Sequence, residues 1–133
     1  MPEGLVKPSQ RFCLAAPRKT FYFVEIYPSE KTMYTAVKRL SGKCSKNILA
    51  LCLRYSCSHK YNGFTNLGTI FLQEKHKLNN AIVVHELTHA AIGYCNFAKL
   101  RPTQRKPSQN SDEEKFAELM GSLVEQYQSK VQT

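Results

Sequence analysis

Long hydrophobic runs are missing from this sequence of 133 residues. The longest, Ile48 to Leu53, is far shorter than the roughly 20 apolar residues that a membrane-spanning helix needs. The opening residues, MPEGLVKPSQRF, also lack the apolar segment of a secretory signal peptide. We therefore expect a soluble, cytoplasmic protein with no membrane partner.

An even set of cysteines, as a secreted disulfide framework would have, is also missing. The five cysteines are Cys13, Cys44, Cys52, Cys57 and Cys95. An odd number without a secretory signal predicts reduced thiols.

Acidic residues are few, with 10 Asp and Glu against 19 Lys and Arg, and the net charge is +9. This excess predicts either an acidic partner, such as nucleic acid, or a surface whose charge serves only solubility. No run of consecutive basic residues reaches five, so the sequence has no basic tail that would favour nucleic-acid binding over simple solubility. The basic loop that motivates the nucleic-acid interpretation contains Lys99, Arg101, Arg105 and Lys106.

The sequence shows no repeat and no interdomain linker, and its 42% of hydrophobic residues suffices for one core. Residues 1–20 contain three prolines and are expected to form an irregular, basic lead-in, so that residues 21–133 form a single domain. Alternating or buried patterns predict three strands, and helical spacing with cap residues predicts three helices. The predicted strands are Phe21–Tyr27, Ile48–Ser56 and Gly68–Leu72. The first predicted helix starts after Pro28 and Ser29, has apolar residues at helical spacing over Met33–Leu40 and ends at Gly42. The second follows the candidate caps Asn79 and Asn80 and ends near Gly93, and the third covers Ser111 to about Tyr127. This order predicts an α+β domain with helices on one side of a small three-stranded sheet.

The most informative segment is His85-Glu86-Leu87-Thr88-His89, an HExxH motif on a predicted helix. Residues four apart share a helix face, so both imidazoles can reach one Zn²⁺ ion. Glu86 can then face a zinc-bound water as the catalytic base. The competing interpretation, a buried helix that merely carries these residues, leaves three ionisable groups without partners.

The combination of HELTHA with the later segment Glu114-Lys115-Phe116-Ala117-Glu118 resembles the gluzincin metallopeptidases, including their very small bacterial and phage members. The resemblance covers roughly Gly68 to Gln128. It implies a zincin-like core with an active-site helix and hydrolysis of peptide bonds. It also implies Glu114 as third zinc ligand, with Ala117 as the small residue that follows it. Glu118 would then form a hydrogen bond to one of the zinc-binding histidines and orient it.

An alternative third ligand is Glu113. Ser111 and Glu114 match a capping box, in which Glu114 would satisfy a backbone amide instead of binding metal. Glu113 also lies nearer the apolar stripe of the last helix by helical angle. The small residues Ala117 and Gly121 are expected to let this helix approach the zinc helix closely.

The resemblance further implies that Gly68–Leu72 is an edge strand that pairs with an extended peptide or protein substrate. Two alternative functions are a basic, nucleic-acid-associated zinc protein and a regulatory module that keeps a peptidase fold without turnover.

Overall fold

The chain folds into a four-stranded mixed sheet and three α-helices, which confirms the predicted α+β class. The computed structural model describes residues 6–42, 48–102 and 110–132, apart from the side chains of residues 56–59 and 110–111. In chain order the elements are β1 Gln10–Ala16, β2 Thr20–Tyr27, α1 Glu30–Ser41, β3 Ala50–Tyr61, β4 Phe64–Gln73, α2 Asn80–Ala98 and α3 Asn110–Val131. A short 3₁₀ turn, Glu74–His76, connects β4 to α2.

The strands lie in the order β1-β2-β4-β3. β1 and β3 pair antiparallel with their neighbours, whereas β2 and β4 pair in parallel. The segment Gly68–Leu72 belongs to β4 and therefore lies inside the sheet, so its prediction as an edge strand is wrong. The physical reason is that β4 is buried along nearly its whole length and has a hydrogen-bonding partner on each side. The edge strand on this side of the sheet is β3.

The fourth strand, β1, arises from the segment that we predicted to be irregular. Residues 10–16 pair with β2 along their whole length, so the expectation of an irregular lead-in is wrong for them. Their alternation is weak because Phe12 and Leu14 are the only large apolar residues in the strand. β1 is stabilised instead by backbone pairing with the aromatic strand β2 and by contacts with α3.

Helices cover both faces of the sheet, which corrects the prediction that all lie on one side. α2 and α3 pack over the main core, which includes Tyr22, Val24 and Ile26 from β2. α1 packs on the opposite face, where Met33 and Val37 meet strand residues that alternate with those of the main core. The predicted first helix therefore forms as α1, but its apolar residues pack on the face of the sheet opposite to α2 and α3.

The helix ends agree only in part with prediction. α1 begins after a capping box at Ser29 and ends at Gly42, whose φ of 77° terminates the helix as expected. α2 begins at its predicted cap, Asn79, but continues past Gly93 to Ala98. In the part of the chain that the structure describes, no helix is both long and apolar enough to cross a membrane.

Candidate active site

The two histidines of the HExxH motif come together on an exposed side of α2. Their Nε2 atoms are 3.2 Å apart, and their ring planes are inclined by 78°. A tetrahedral zinc ion with Zn–N distances of about 2.0–2.1 Å separates two imidazole nitrogens by about 3.3 Å. The spacing of His85 and His89 therefore fits two ligands of one zinc ion. The same distance also fits a hydrogen bond between two neutral rings.

Glu86, between these histidines, turns toward the sheet and is only 6% exposed. Burial raises the pKa of its carboxyl group, while His85, His89 and the backbone N–H of Cys52 oppose that shift. The carboxylate thus lies between the histidine pair and edge strand β3. If the two histidines held a metal ion, a carboxylate of raised basicity beside them would be suited to accept a proton.

A cleft of about 450 Å³ opens between the first turns of α2 and the start of β3. Apart from His85 and Glu86 its lining is apolar, and it consists of Ile48, Leu49, Ala50, Ala81 and Ile82. Because β3 is the last strand of the sheet, this cleft adjoins a strand edge. An extended peptide laid along that edge would pass the histidine pair.

The predicted third ligand, Glu114, lies toward the C-terminal end of α2, whereas His89 is in the middle of that helix. The backbone N–H of Arg101, just after α2, donates to the Asp112 carboxylate near the start of α3. The hydroxyl of Tyr127, near the end of α3, donates to the carbonyl of Lys77, just before α2. The two helices are therefore antiparallel, and Glu114 lies toward the C-terminal end of α2.

Contact between α2 and α3 is made by large side chains, because Leu119, Leu123 and Tyr127 are buried in the main core. Ala117 is exposed, and a Cβ at Gly121 would meet nothing within 4 Å. The expectation that these two small residues allow close helix approach is therefore wrong.

Both candidate third ligands, Glu113 and Glu114, are exposed. Glu118 lines a separate cavity with Tyr94 and Lys115. Within residues 6–42, 48–102 and 110–132, no third His, Cys, Asp or Glu completes a metal cluster. The ligand role of Glu114 or Glu113 and the supporting role of Glu118 stay predictions.

No family profile, curated protein or solved structure matched this chain. The gluzincin resemblance consequently depends on residues of this chain alone. These are the HExxH motif, His85 to His89, and the later segment Glu114 to Glu118.

Sequence reasoning missed the contact between Gly93, one helical turn after His89, and Arg54 of β3. A Cβ at Gly93 would fall 2.3 Å from the Tyr22 hydroxyl and 2.7 Å from Cδ of Arg54, so only glycine fits without a shift. A glycine inside an apolar helix is typical of close packing as well as of a helix end, and the pattern around Gly93 predicts only the end.

Proposed function

We propose that this protein is a zinc-dependent peptidase that hydrolyses peptide bonds beside the edge of β3. One observation supports this most strongly. Two imidazole nitrogens with the spacing of zinc ligands lie next to a buried carboxylate and a strand edge. A helix that carried His85, Glu86 and His89 for packing alone would not need this combination.

Each residue then has a distinct task. Zinc held by His85 and His89 would lower the pKa of a water molecule and polarise the carbonyl of the cleaved bond. Glu86 takes a proton from the attacking water and passes it to the leaving amine. The outer edge of β3 orients an extended peptide by backbone pairing, and the apolar cleft accepts a side chain next to the cleaved bond.

The third ligand is part of this proposal. By its resemblance to the gluzincins we assign Glu114, with Glu113 as the alternative and Glu118 supporting a zinc histidine. Zinc-affinity titration of Glu113→Ala, Glu114→Ala and Glu118→Ala separates these roles. The ligand's variant should lose the most affinity, and the other two should lose less.

The decisive experiment is elemental analysis of protein purified without chelator and reconstituted with zinc. We expect one zinc per wild-type chain and its loss or weakening in His85→Ala and His89→Ala. His76→Ala, which removes a histidine from the turn before α2, is the matched control and should keep the metal. Absence of zinc from the reconstituted wild type would refute the proposal.

Hydrolysis is tested separately with Glu86→Gln. The amide keeps the size of the side chain but cannot act as a base, so this variant should bind zinc and lose about 10²–10⁴-fold in turnover. Undiminished cleavage would exclude the role of Glu86. Zinc binding without any turnover in the wild type would favour the regulatory or nucleic-acid alternatives. The nucleic-acid alternative depends on the basic loop, of which Arg105 and Lys106 lie outside the described residues.

A further inference from the structure

Arg54 extends the face of β3 that borders the candidate active site. Side chains two residues apart in a strand point to the same face, so Arg54 lies on the same side as Cys52 and Ala50. Ala50 lines the cleft with His85, whereas Arg54 meets α2 farther on, at Gly93. β3 and α2 therefore run past each other in the same direction.

Gly93 follows His89 by four residues, and it faces the sheet as Glu86 does, because the step of seven residues from Glu86 to Gly93 makes nearly two full helical turns. At 1.5 Å per residue, Gly93 lies about 6 Å along the helix axis beyond His89. The methylene stem of Arg54 rests on Gly93, where a Cβ would come 2.7 Å from Cδ and 3.3 Å from Cγ. This contact holds the arginine one helical turn beyond the histidine pair.

The guanidinium of Arg54 is available to a ligand. The residue is exposed, and none of the carboxylates that the structure describes forms an ion pair with it. Its charge lies close enough to Tyr22 and Cys52 to oppose the rise that burial causes in their pKa values. The overall charge of +9 would in addition attract an acidic ligand to this surface.

We propose that Arg54 selects peptides that carry Asp or Glu about two residues before the cleaved bond. This inference rests on the proposed peptidase function and names its substrate class. A peptide that pairs antiparallel with β3 has its N-terminal part toward Arg54 and its C-terminal part toward the apolar cleft beside Ala50. At about 3.4 Å per strand residue, the distance from His89 to Gly93 corresponds to about two residues.

The test uses three matched fluorogenic peptides with Glu, Gln or Lys two residues before a bond that is followed by leucine. Wild-type protein loaded with zinc should cleave the Glu peptide about tenfold or more faster than the Lys peptide, expressed as kcat/KM. Arg54→Gln should remove the preference, and Arg54→Glu should invert it. Arg39→Glu makes the same charge change on α1, across the sheet, and should leave the preference intact.

A second measurement does not depend on turnover. Binding of the same peptides to zinc-loaded Glu86→Gln protein is followed by fluorescence anisotropy, with and without Arg54→Gln. Tighter binding of the Glu peptide that disappears with Arg54→Gln supports the inference even if no peptide is cleaved, in which case only the peptidase function fails. Equal binding of Glu and Lys peptides to the Arg54-containing protein overturns the inference, whatever the result for cleavage.

Discussion

The two edges of the sheet are treated differently. Along β1, the Gln126 side chain accepts a hydrogen bond from the backbone N–H of Ala15 and donates one to its carbonyl. Nearby, the Gln10 amide donates to the carbonyls of Lys130 and Val131, and the Lys130 ammonium donates to the carbonyl of Cys13. Helix α3 thus occupies this edge. At β3, no described strand pairs with the outer edge, and the carboxylate of Glu86 lies beside it.

An unpaired strand edge promotes association with any other extended chain, and proteins usually block it. Here α3 blocks the edge formed by β1, and no strand among residues 6–42, 48–102 and 110–132 pairs with the outer edge of β3. We infer that stability depends on the covered edge, and that the open edge is where the proposed peptide substrate would pair. Four predictions test this division, beginning with the largest expected effect.

The first concerns the packing of α3. Leu123 is 1% exposed in the main core, so Leu123→Ala should lower the free energy of unfolding by about 2–5 kcal/mol. Leu49, just before β3, is 53% exposed, and Leu49→Ala should change the free energy of unfolding by less than about 0.5 kcal/mol. Urea denaturation of both variants measures the difference. Equal losses would contradict the proposed division.

The second prediction concerns the hydrogen bonds that close β1. Gln126→Ala removes both bonds to Ala15 and should cost about 1–2 kcal/mol in unfolding free energy. It should also expose the strand edge and promote self-association, measurable by sedimentation velocity. Gln128→Ala changes an exposed glutamine two residues away and is the control. If both variants behave alike, α3 does not protect β1 through Gln126.

The third prediction compares two buried tyrosines. The Tyr22 hydroxyl, against Gly93, has no hydrogen-bond partner among the described residues, so Tyr22→Phe should raise the unfolding free energy by about 1 kcal/mol. The Tyr127 hydroxyl on α3 donates to the carbonyl of Lys77, so Tyr127→Phe should lower it by about the same amount. Thermal denaturation gives the sign of each change. A loss of stability in Tyr22→Phe would show that its hydroxyl has a partner.

The smallest effect concerns thiol reactivity. Here the more reactive group is expected on β1, the edge that α3 covers, and the less reactive one on β3. Cys13 on the covered strand is exposed, whereas the Cys52 thiol on β3 packs under α2 and burial raises its pKa to about 12. In folded protein at pH 8, iodoacetamide should modify Cys13 before Cys52 or Cys95, as located by peptide mass spectrometry. After denaturation without reductant, all five cysteines should react. Faster modification of Cys52 would place it outside the packed interface.

Much of the local structure could be predicted from the sequence. Strand β2, the capped start of α1 and the cap of α2 follow from short-range patterns, because strand alternation and cap hydrogen bonds involve residues close in the chain. The same is true of His85 and His89, since four residues bring two side chains together on any α-helix. The presence of β1 was not predicted, because its weak pattern becomes a strand only beside β2.

By itself, then, the sequence determined the α+β class, the elements with strong periodicity, and the HExxH pair, because each depends on neighbouring residues. Tertiary structure alone decided that β3 is the edge with no partner strand in the described part of the chain, that α3 blocks β1, and that Glu114 lies toward the C-terminal end of α2. It also brought Arg54 onto Gly93. These outcomes depend on which strands and helices pair across long stretches of chain. That choice is made by the packing of the whole core, which no local pattern encodes.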